Sequence, residues 1–402
     1  MSQAVADSNI ALDRAVVLRP VRRYLLTTIQ VDGVIRYRMP ILREMQRRGW
    51  EVHVAAPNSD TLRALSQNGI HTHQLHLDRS STNPFQELKT LRNFKAIADL
   101  VRPHLSHHFS TKAVIYGCLS GKGLNVATIT GLGYSLSGAA GTAKHIPVRI
   151  IGKTLYKRAM QKCHHVIFQN DHDCSFFLNK KIAKDHQVSI IQGSGIDMSY
   201  FHPDKLSKKD KPIKFVVLSR MLISKGIEDF VAASRIVRER TNEKCEFILA
   251  GPLDVDNPSC IKESIFNGWL TEGSVKWIGQ VPDALEAYSD ADVVVLPSFY
   301  KEGLSRSLIE GAAMGLPLIT TDNPGCRDAV IHNETGLIVP LRDPHALAEA
   351  MLTLISNASM RRQMGKAGRK FVEQHFSQDQ VLSKTLETYD AVLTRNGGVG
   401  LD

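Results

Sequence analysis

Short β-rich runs, near-continuously apolar in the second half, recur along this chain between longer stretches of helical spacing, and that alternation limits the fold more than any other feature. In the first half the runs fall at 24–29, 52–56, 71–77, 105–109, 126–130, 166–169 and 188–192. Between them, segments such as 41–48 and 85–101 repeat apolar residues at helical spacing. The pattern stops over a Pro- and Lys-rich stretch, 202–212, and restarts with runs at 214–219, 245–250, 275–279, 293–296, 318–320 and 337–339. A parallel strand covered by helices on both faces reads as a continuous apolar run. The expectation is therefore an α/β protein of two doubly wound parallel sheets in succession rather than one large sheet. The expected divisions are a first domain over 1–200, a second over 201–375, and a closing helix over 376–402 that packs back on the first. Open sheets of this kind bind ligands beyond the C-terminal ends of their strands, so two of them frame a cleft.

Composition narrows the class. A chain of 402 residues with 43% hydrophobic and 22% charged residues is neither disordered nor a polytopic membrane protein. No secretory signal is visible at the N-terminus. The charge-free stretch 124–143 contains Gly131, Gly133, Gly138 and Gly141, which suits a strand and a glycine loop better than a membrane span. Six scattered cysteines without a C-x-x-C pair read as reduced thiols of a cytoplasmic protein. Charge is uneven. Residues 1–200 hold 26 Lys and Arg against 13 Asp and Glu, while residues 201–402 hold 24 against 27. No acidic residue lies between Asp99 and Asp171. A basic half points to an acidic partner: anionic lipid, a diphosphate or nucleic acid.

The chemistry concentrates in one segment, Pro297-Ser-Phe-Tyr-Lys-Glu302-Gly303-Leu304-Ser305-Arg-Ser-Leu-Ile-Glu310. A strand ends in a loop bearing a carboxylate and a glycine, and a helix then begins. Helix-start amides are free to meet an anion, and a carboxylate accepts both hydrogen bonds of a vicinal diol. Alone, the two glutamates read equally well as a helix cap and a surface ion pair. They are accompanied by Ser219-Arg220 and Lys225-Gly226 upstream, and by Gly315-Leu-Pro317 and Gly336-Leu-Ile-Val-Pro340 downstream.

This ordered set resembles the retaining glycosyltransferases of family four, which have the GT-B fold: two Rossmann-like domains facing across a cleft. The match covers about 214–375. The resemblance implies that Arg220 and Lys225 neutralise the departing diphosphate of a nucleotide sugar, that Glu302 contacts the transferred sugar and that Glu310 binds the ribose. It implies that the amides of Gly303, Leu304 and Ser305 hold phosphate or sugar oxygens. A UDP-sugar is the favoured donor, with a GDP-sugar as the alternative; it is a substrate, so no cofactor is expected. No metal is expected either. The one Asp-x-Asp, Asp254-Val-Asp256, follows Gly251-Pro252 in a position that is a variable loop in this family.

The first half is less standardised. Gln30-Val-Asp32-Gly33 is read as a loop facing the cleft, with Gly33 allowing close approach to the donor and Arg38 binding an acceptor phosphate. In Ser106-His107-His108-Phe109-Ser110-Thr111-Lys112 one histidine is expected in the cleft; the family resemblance selects His107 as the catalytic one, near the transferred sugar. Lys112, Gly131 and Gly133 complete the acceptor set. Thr130-Gly-Leu-Gly133 resembles the loop of transferases acting on undecaprenyl-diphosphate-linked sugars, so a polyprenyl-diphosphate-linked glycan is the expected acceptor. The segment 147–162 reads as a basic helix with Arg149, Lys153 and Lys157 on one face, suited to the anionic inner surface of the cytoplasmic membrane. Two other readings stand beside this one. A UDP-hexosamine 2-epimerase of the same fold needs a cleft Asp and Glu pair, and none is evident. A nucleic-acid-binding protein lacks interleaved aromatics and a recognition helix, so no nucleic-acid partner is expected.

Overall fold

The computed structural model describes residues 21–77, 83–131, 146–207, 212–255, 257, 259–299, 304–398 and 400–401. Of Asp32 and residues 146–150 it describes the backbone only. The first sheet is built from β1 (Arg23–Thr27), β2 (Glu51–Ala56), β3 (His71–Gln74), β4 (Leu105–Phe109), β5 (Leu124–Ile129), β6 (His165–Phe168) and β7 (Val188–Ile190), in the order β3-β2-β1-β4-β5-β6-β7. The helices between them are α1 (Asp32–Tyr37), α2 (Met39–Arg47), α3 (Asp60–Ser66), α4 (Pro84–Val101), α5 (Thr111–Ser120), α6 (Ile146–Gln161) and α7 (Asp171–Asn179). Side chains cap several of them: Ser59 accepts from the Leu62 amide at 3.0 Å and Asn170 from the Asp173 amide at 2.7 Å.

The second sheet holds β8 (Ile213–Leu218), β9 (Cys245–Ala250), β10 (Lys276–Trp277), β11 (Val293–Leu296), β12 (Leu318–Thr321) and β13 (Gly336–Val339), in the order β10-β9-β8-β11-β12-β13. Its helices are α8 (Ile227–Arg240), α9 (Glu263–Thr271), α10 (Ala284–Tyr288), α11 (Arg306–Ala313), α12 (Pro344–Ser356) and α13 (Ala358–His375), with α14 (Gln378–Arg395) closing the chain. Every strand pair of both sheets is parallel. Each expected apolar run has become a strand. Val293 to Leu296 are buried along their whole length, as a central parallel strand between two helix layers requires.

The first sheet separates two cores. One face packs α1 to α3 and the other α4 to α7. Val381, Tyr389, Val392 and Leu393 of α14 join the α1–α3 core, so the last helix belongs to the first sheet. Core membership changes between Ile191 and Ile196, ahead of the Pro- and Lys-rich stretch taken from the sequence as the linker. The crossing falls there because Gly193 and Gly195 both hold left-handed φ, +77° and +83°. The return crossing lies alongside. The Ile196 amide donates to Phe376 O at 2.9 Å and the Gln378 amide to Ile196 O at 2.9 Å. A Cβ on Gly195 would stand 2.7 Å from Gln378 Cα.

Candidate active site

In both sheets the strand order reverses beside the first strand, between β1 and β4 and between β8 and β11. Loops leave such a switch point in opposite directions and open a crevice at the strand C-termini. The sequence motifs fall at these two places.

At the second switch point β8 runs into Ser219-Arg220 and then a 3₁₀ turn, Ile223–Lys225. Gly226 follows with φ +72°, and a Cβ there would lie 2.0 Å from Pro297 O. Only glycine permits that contact, and it joins the Lys225 turn to the end of β11. Ser298 Oγ and the Phe299 amide each donate to Ser224 O at 3.2 Å. Arg220 is half exposed, with one guanidinium nitrogen 2.6 Å from Asp254 Oδ2. Asp254 is thus the counter-ion of Arg220, and Asp256 lies outside the described residues. Glu302 and Gly303 lie outside them too. The Ser305 amide donates to Gly325 O at 2.8 Å, so it is not available to a phosphate, contrary to the expectation. The first-turn amides of α11, at Arg306 and Ser307, hold the helix-start position instead.

Glu310 is buried on α11. Arg306 Nε lies 2.7 Å from its Oε1, and the Tyr288 hydroxyl shares its one proton between Oε2 at 3.2 Å and Ser307 O at 3.0 Å. The Arg306 Nε–H is not aligned with the oxygen, so the contact is an ion pair rather than a directed hydrogen bond. Burial raises the Glu310 pKa, and Arg306 and Tyr288 oppose the rise. The carboxylate is held rather than open. A carboxylate has about four lone-pair sites, so two contacts leave acceptor capacity, but at 6% exposure Glu310 has no open face toward a diol in this structure, contrary to the expectation.

Arg306 also ties the halves together. Its guanidinium stacks on the Tyr37 ring at 3.8 Å and donates to Gly195 O at 3.0 Å. Beside it, Arg36 donates to Pro282 O at 3.1 Å. Arg38 stacks on Phe109 at 4.1 Å and reaches Ser194 Oγ at 3.5 Å. Enclosure brings the Arg38 pKa down to about 10, with Tyr389 raising it and Arg306 lowering it further. A cation enclosed in this way favours an arriving anion.

Four acceptor-side expectations change. Asp32 and Gly33 are helix, not loop, since α1 begins at Asp32. A Cβ on Gly33 would meet Tyr37 Cδ2 and Cε2 at 3.7 and 4.0 Å, ordinary contacts within the protein. His107 and His108 are both buried, at 1% exposure each, instead of one standing open in the cleft. Adjacent strand residues face opposite ways. His107 Nδ1 is 2.5 Å from the Tyr389 hydroxyl and Nε2 is 2.7 Å from Thr128 Oγ1. His108 lies 2.8 Å from Thr27 Oγ1 and 3.0 Å from Asn125 Oδ1. Burial pushes the His107 pKa well below the ordinary value and His108 down to about 4, so both are neutral core groups. Lys112 is paired with Glu87 at 2.6 Å in the α4–α5 contact. Gly131 lies two residues beyond β5 with φ +140°, and Gly133 lies outside the described residues.

The sequence reading missed Arg306, Tyr37 and Tyr288. Arg306 stood inside the quoted motif, and Gly193-Ser-Gly195 after a strand was a visible signal for the crossing. Tyr389 had no local signal, because its partners lie more than 280 residues away.

Two opposed doubly wound domains with cationic strand ends at both switch points are the architecture of a GT-B glycosyltransferase. The model described as Glycosyl transferases group 1 matches residues 200–371, and Glycosyl transferase 4-like matches residues 31–170. The chain belongs to the retaining glycosyltransferases of family four. It is 27% identical to the N,N'-diacetylbacillosaminyl-diphospho-undecaprenol alpha-1,3-N-acetylgalactosaminyltransferase of Campylobacter jejuni, over 90% of this chain and 96% of that protein. It is 24% identical to the capsular polysaccharide biosynthesis glycosyltransferase CapM of Staphylococcus aureus, over 93% and 98%. Among solved structures it is similar to a glycosyltransferase from Rickettsia africae, with TM-score 0.73, 18% identity, and 93% and 99% of the two chains covered. HepE of Anabaena, in complex with UDP and glucose, gives TM-score 0.73, 16% identity, and 92% and 100% coverage. These structures establish the fold.

Proposed function

We propose that the chain transfers a hexose or N-acetylhexosamine, with retention, from a UDP-sugar to a lipid-diphosphate-linked sugar in bacterial surface glycan assembly. The supporting observation is the joining of the Arg220/Lys225 turn to the end of β11 through Gly226. That joint sets two cations beside the loop that leads to Glu302. Breaking the anomeric C–O bond builds charge on the leaving diphosphate, and fixed cations and helix-start amides stabilise it. The acceptor oxygen forms its bond on the face the diphosphate leaves, and its proton passes to a diphosphate oxygen. Glu310 takes the ribose and Glu302 the sugar. The first domain, 1–200 with 376–402, holds the acceptor, and 201–375 holds the donor. Arg38, enclosed at the first switch point, takes an acceptor phosphate. The Campylobacter jejuni relative, by its name, acts on a diphospho-undecaprenol-linked sugar, and HepE carries UDP and glucose, which support the lipid-linked acceptor and the nucleotide.

The basic helix α6 faces the cytoplasmic leaflet in this reading. Its Lys153, Lys157 and Arg158 are exposed, and among the described residues no helix is long and apolar enough to cross a membrane. The test is a screen of UDP- and GDP-sugars by nucleotide release, with a polyprenyl-diphosphate-linked sugar as acceptor. Activity with one UDP-sugar, lost in Glu310→Ala, is expected. Failure of every donor, with Glu310→Ala matching the wild type, would end the proposal. Conversion of the UDP-sugar to its 2-epimer in the absence of any acceptor, without net release of UDP, would favour the epimerase.

A further inference from the structure

α4, α5 and α6 lie side by side on one face of the first sheet, with α5 packed between the other two. Phe94, Ile97 and Val101 point α4 inward, and Tyr156, Ala159 and Met160 do the same for α6. The outward face of α4 is not the polar face such a helix ordinarily shows. Phe85 is 85% exposed, Leu88 45% and Leu100 72%, and the spacing of Phe85, Leu88, Arg92 and Lys95 places them along one side. Lys89, Arg92 and Lys95 are all exposed among them. The acids of this helix do not cancel that charge. Glu87 is turned inward to Lys112 and the Tyr116 hydroxyl, and Asp99 is 3.1 Å from Lys122. Beyond α5, α6 adds Lys153, Lys157 and Arg158 with Ile151 57% exposed, and has no acidic residue in Ile146–Gln161.

Topology gives this surface a direction. Each helix follows the C-terminal end of a parallel strand, so the N-terminal ends of α4 and α6 stand at the cleft rim. Phe85 and Leu88 sit on the first turns of α4, at that rim.

We propose that the outer face of α4 docks on an anionic bilayer, with Phe85 and Leu88 entering the headgroup–acyl boundary and Lys89, Arg92 and Lys95 meeting lipid phosphates. The assignment of purpose rests on the lipid-linked acceptor proposed above: the inserted rim holds the cleft against the leaflet from which such an acceptor is drawn. An interfacial helix combines large apolar side chains with flanking cations in this way. Nucleic acid would match the charge and leave Leu88 and Leu100 in water, so the apolar residues favour the bilayer.

The test is co-sedimentation of the full chain with vesicles of phosphatidylglycerol and phosphatidylethanolamine, against vesicles of phosphatidylcholine alone. Phe85→Ser/Leu88→Ser and Lys89→Glu/Arg92→Glu change only exposed side chains, and an unchanged melting temperature verifies their folding. The wild type is expected to sediment with the anionic vesicles and to be released by salt. Each double variant is expected to lose at least about tenfold in partitioning. Transfer to a vesicle-embedded acceptor should fall in parallel, while UDP affinity stays constant. A wild type left in the supernatant, or double variants that partition like it, overturns the proposal. The vesicle arm contains no sugar substrate. Intact partitioning with no active lipid-linked acceptor therefore ends the acceptor reading and leaves the docking surface standing.

Discussion

Replacing Arg306 by alanine tests how the interdomain contact is held. The substitution strands the buried Glu310 carboxylate, whose Oε1 lies 2.7 Å from Arg306 Nε. Removing one partner of a buried pair costs about 3–5 kcal/mol. The Arg306 side chain is 24% exposed, which places this pair at or below the lower end of that range. The hydrogen bond to Gly195 O contributes about 1 kcal/mol, and the stack on Tyr37 about 0.5–1 kcal/mol. The expected loss is about 3–4 kcal/mol, read as a lower urea midpoint at unchanged slope. About half of it comes from the orphaned charge, so adding Glu310→Gln should restore about half.

The pH dependence follows from the sign of the shift. Glu310 already has a raised pKa in the folded protein, and losing Arg306 raises it further. The folded state then binds a proton that the unfolded state releases, so stability falls as pH rises between the ordinary glutamate value and the raised one. The deficit of Arg306→Ala relative to wild type should therefore shrink from pH 8 to pH 5. The double variant, with no carboxyl at position 310, should show no such recovery. A double variant no more stable than Arg306→Ala, or a deficit that grows on acidification, would refute this account.

Three further outcomes are expected. Gly226→Ala forces a side chain toward Pro297 O and a left-handed φ; it should cost at least about 1–3 kcal/mol and lower transfer by loosening the Lys225 turn, measured by melting and nucleotide release. Arg220→Ala removes a half-exposed pair, so stability should move by less than about 1 kcal/mol, while kcat/KM falls about 10²-fold or more. Gly33→Ala lies within α1 with ordinary contacts and should leave stability unchanged or raise it by up to about 1 kcal/mol; a large loss in a urea titration would restore the loop reading.

The strands were legible because a doubly buried parallel strand has to be apolar along its length. The edges were less so. β3 and β10 are shorter than their runs, since an edge strand has a partner on one side only. α1 was read as a loop because Asp-Gly is poor in intrinsic helix propensity; its Arg36, Tyr37 and Arg38 contact the other domain or the crossing. The motif from Pro297 to Glu310 could be singled out because its residues adjoin in sequence. His107 was misread because its environment is supplied by Tyr389, far along the chain and on the last helix.

That last helix has a consequence for synthesis. Tyr389 reaches the Tyr24 hydroxyl at 2.8 Å, so the first core of the protein is finished by a helix that follows the whole second sheet in the chain. Domains of a growing chain generally fold in order as they leave the ribosome. Here the first-made domain is still missing one wall when the second is complete, and the apolar groove awaiting α14 stays uncovered until that helix has itself been made.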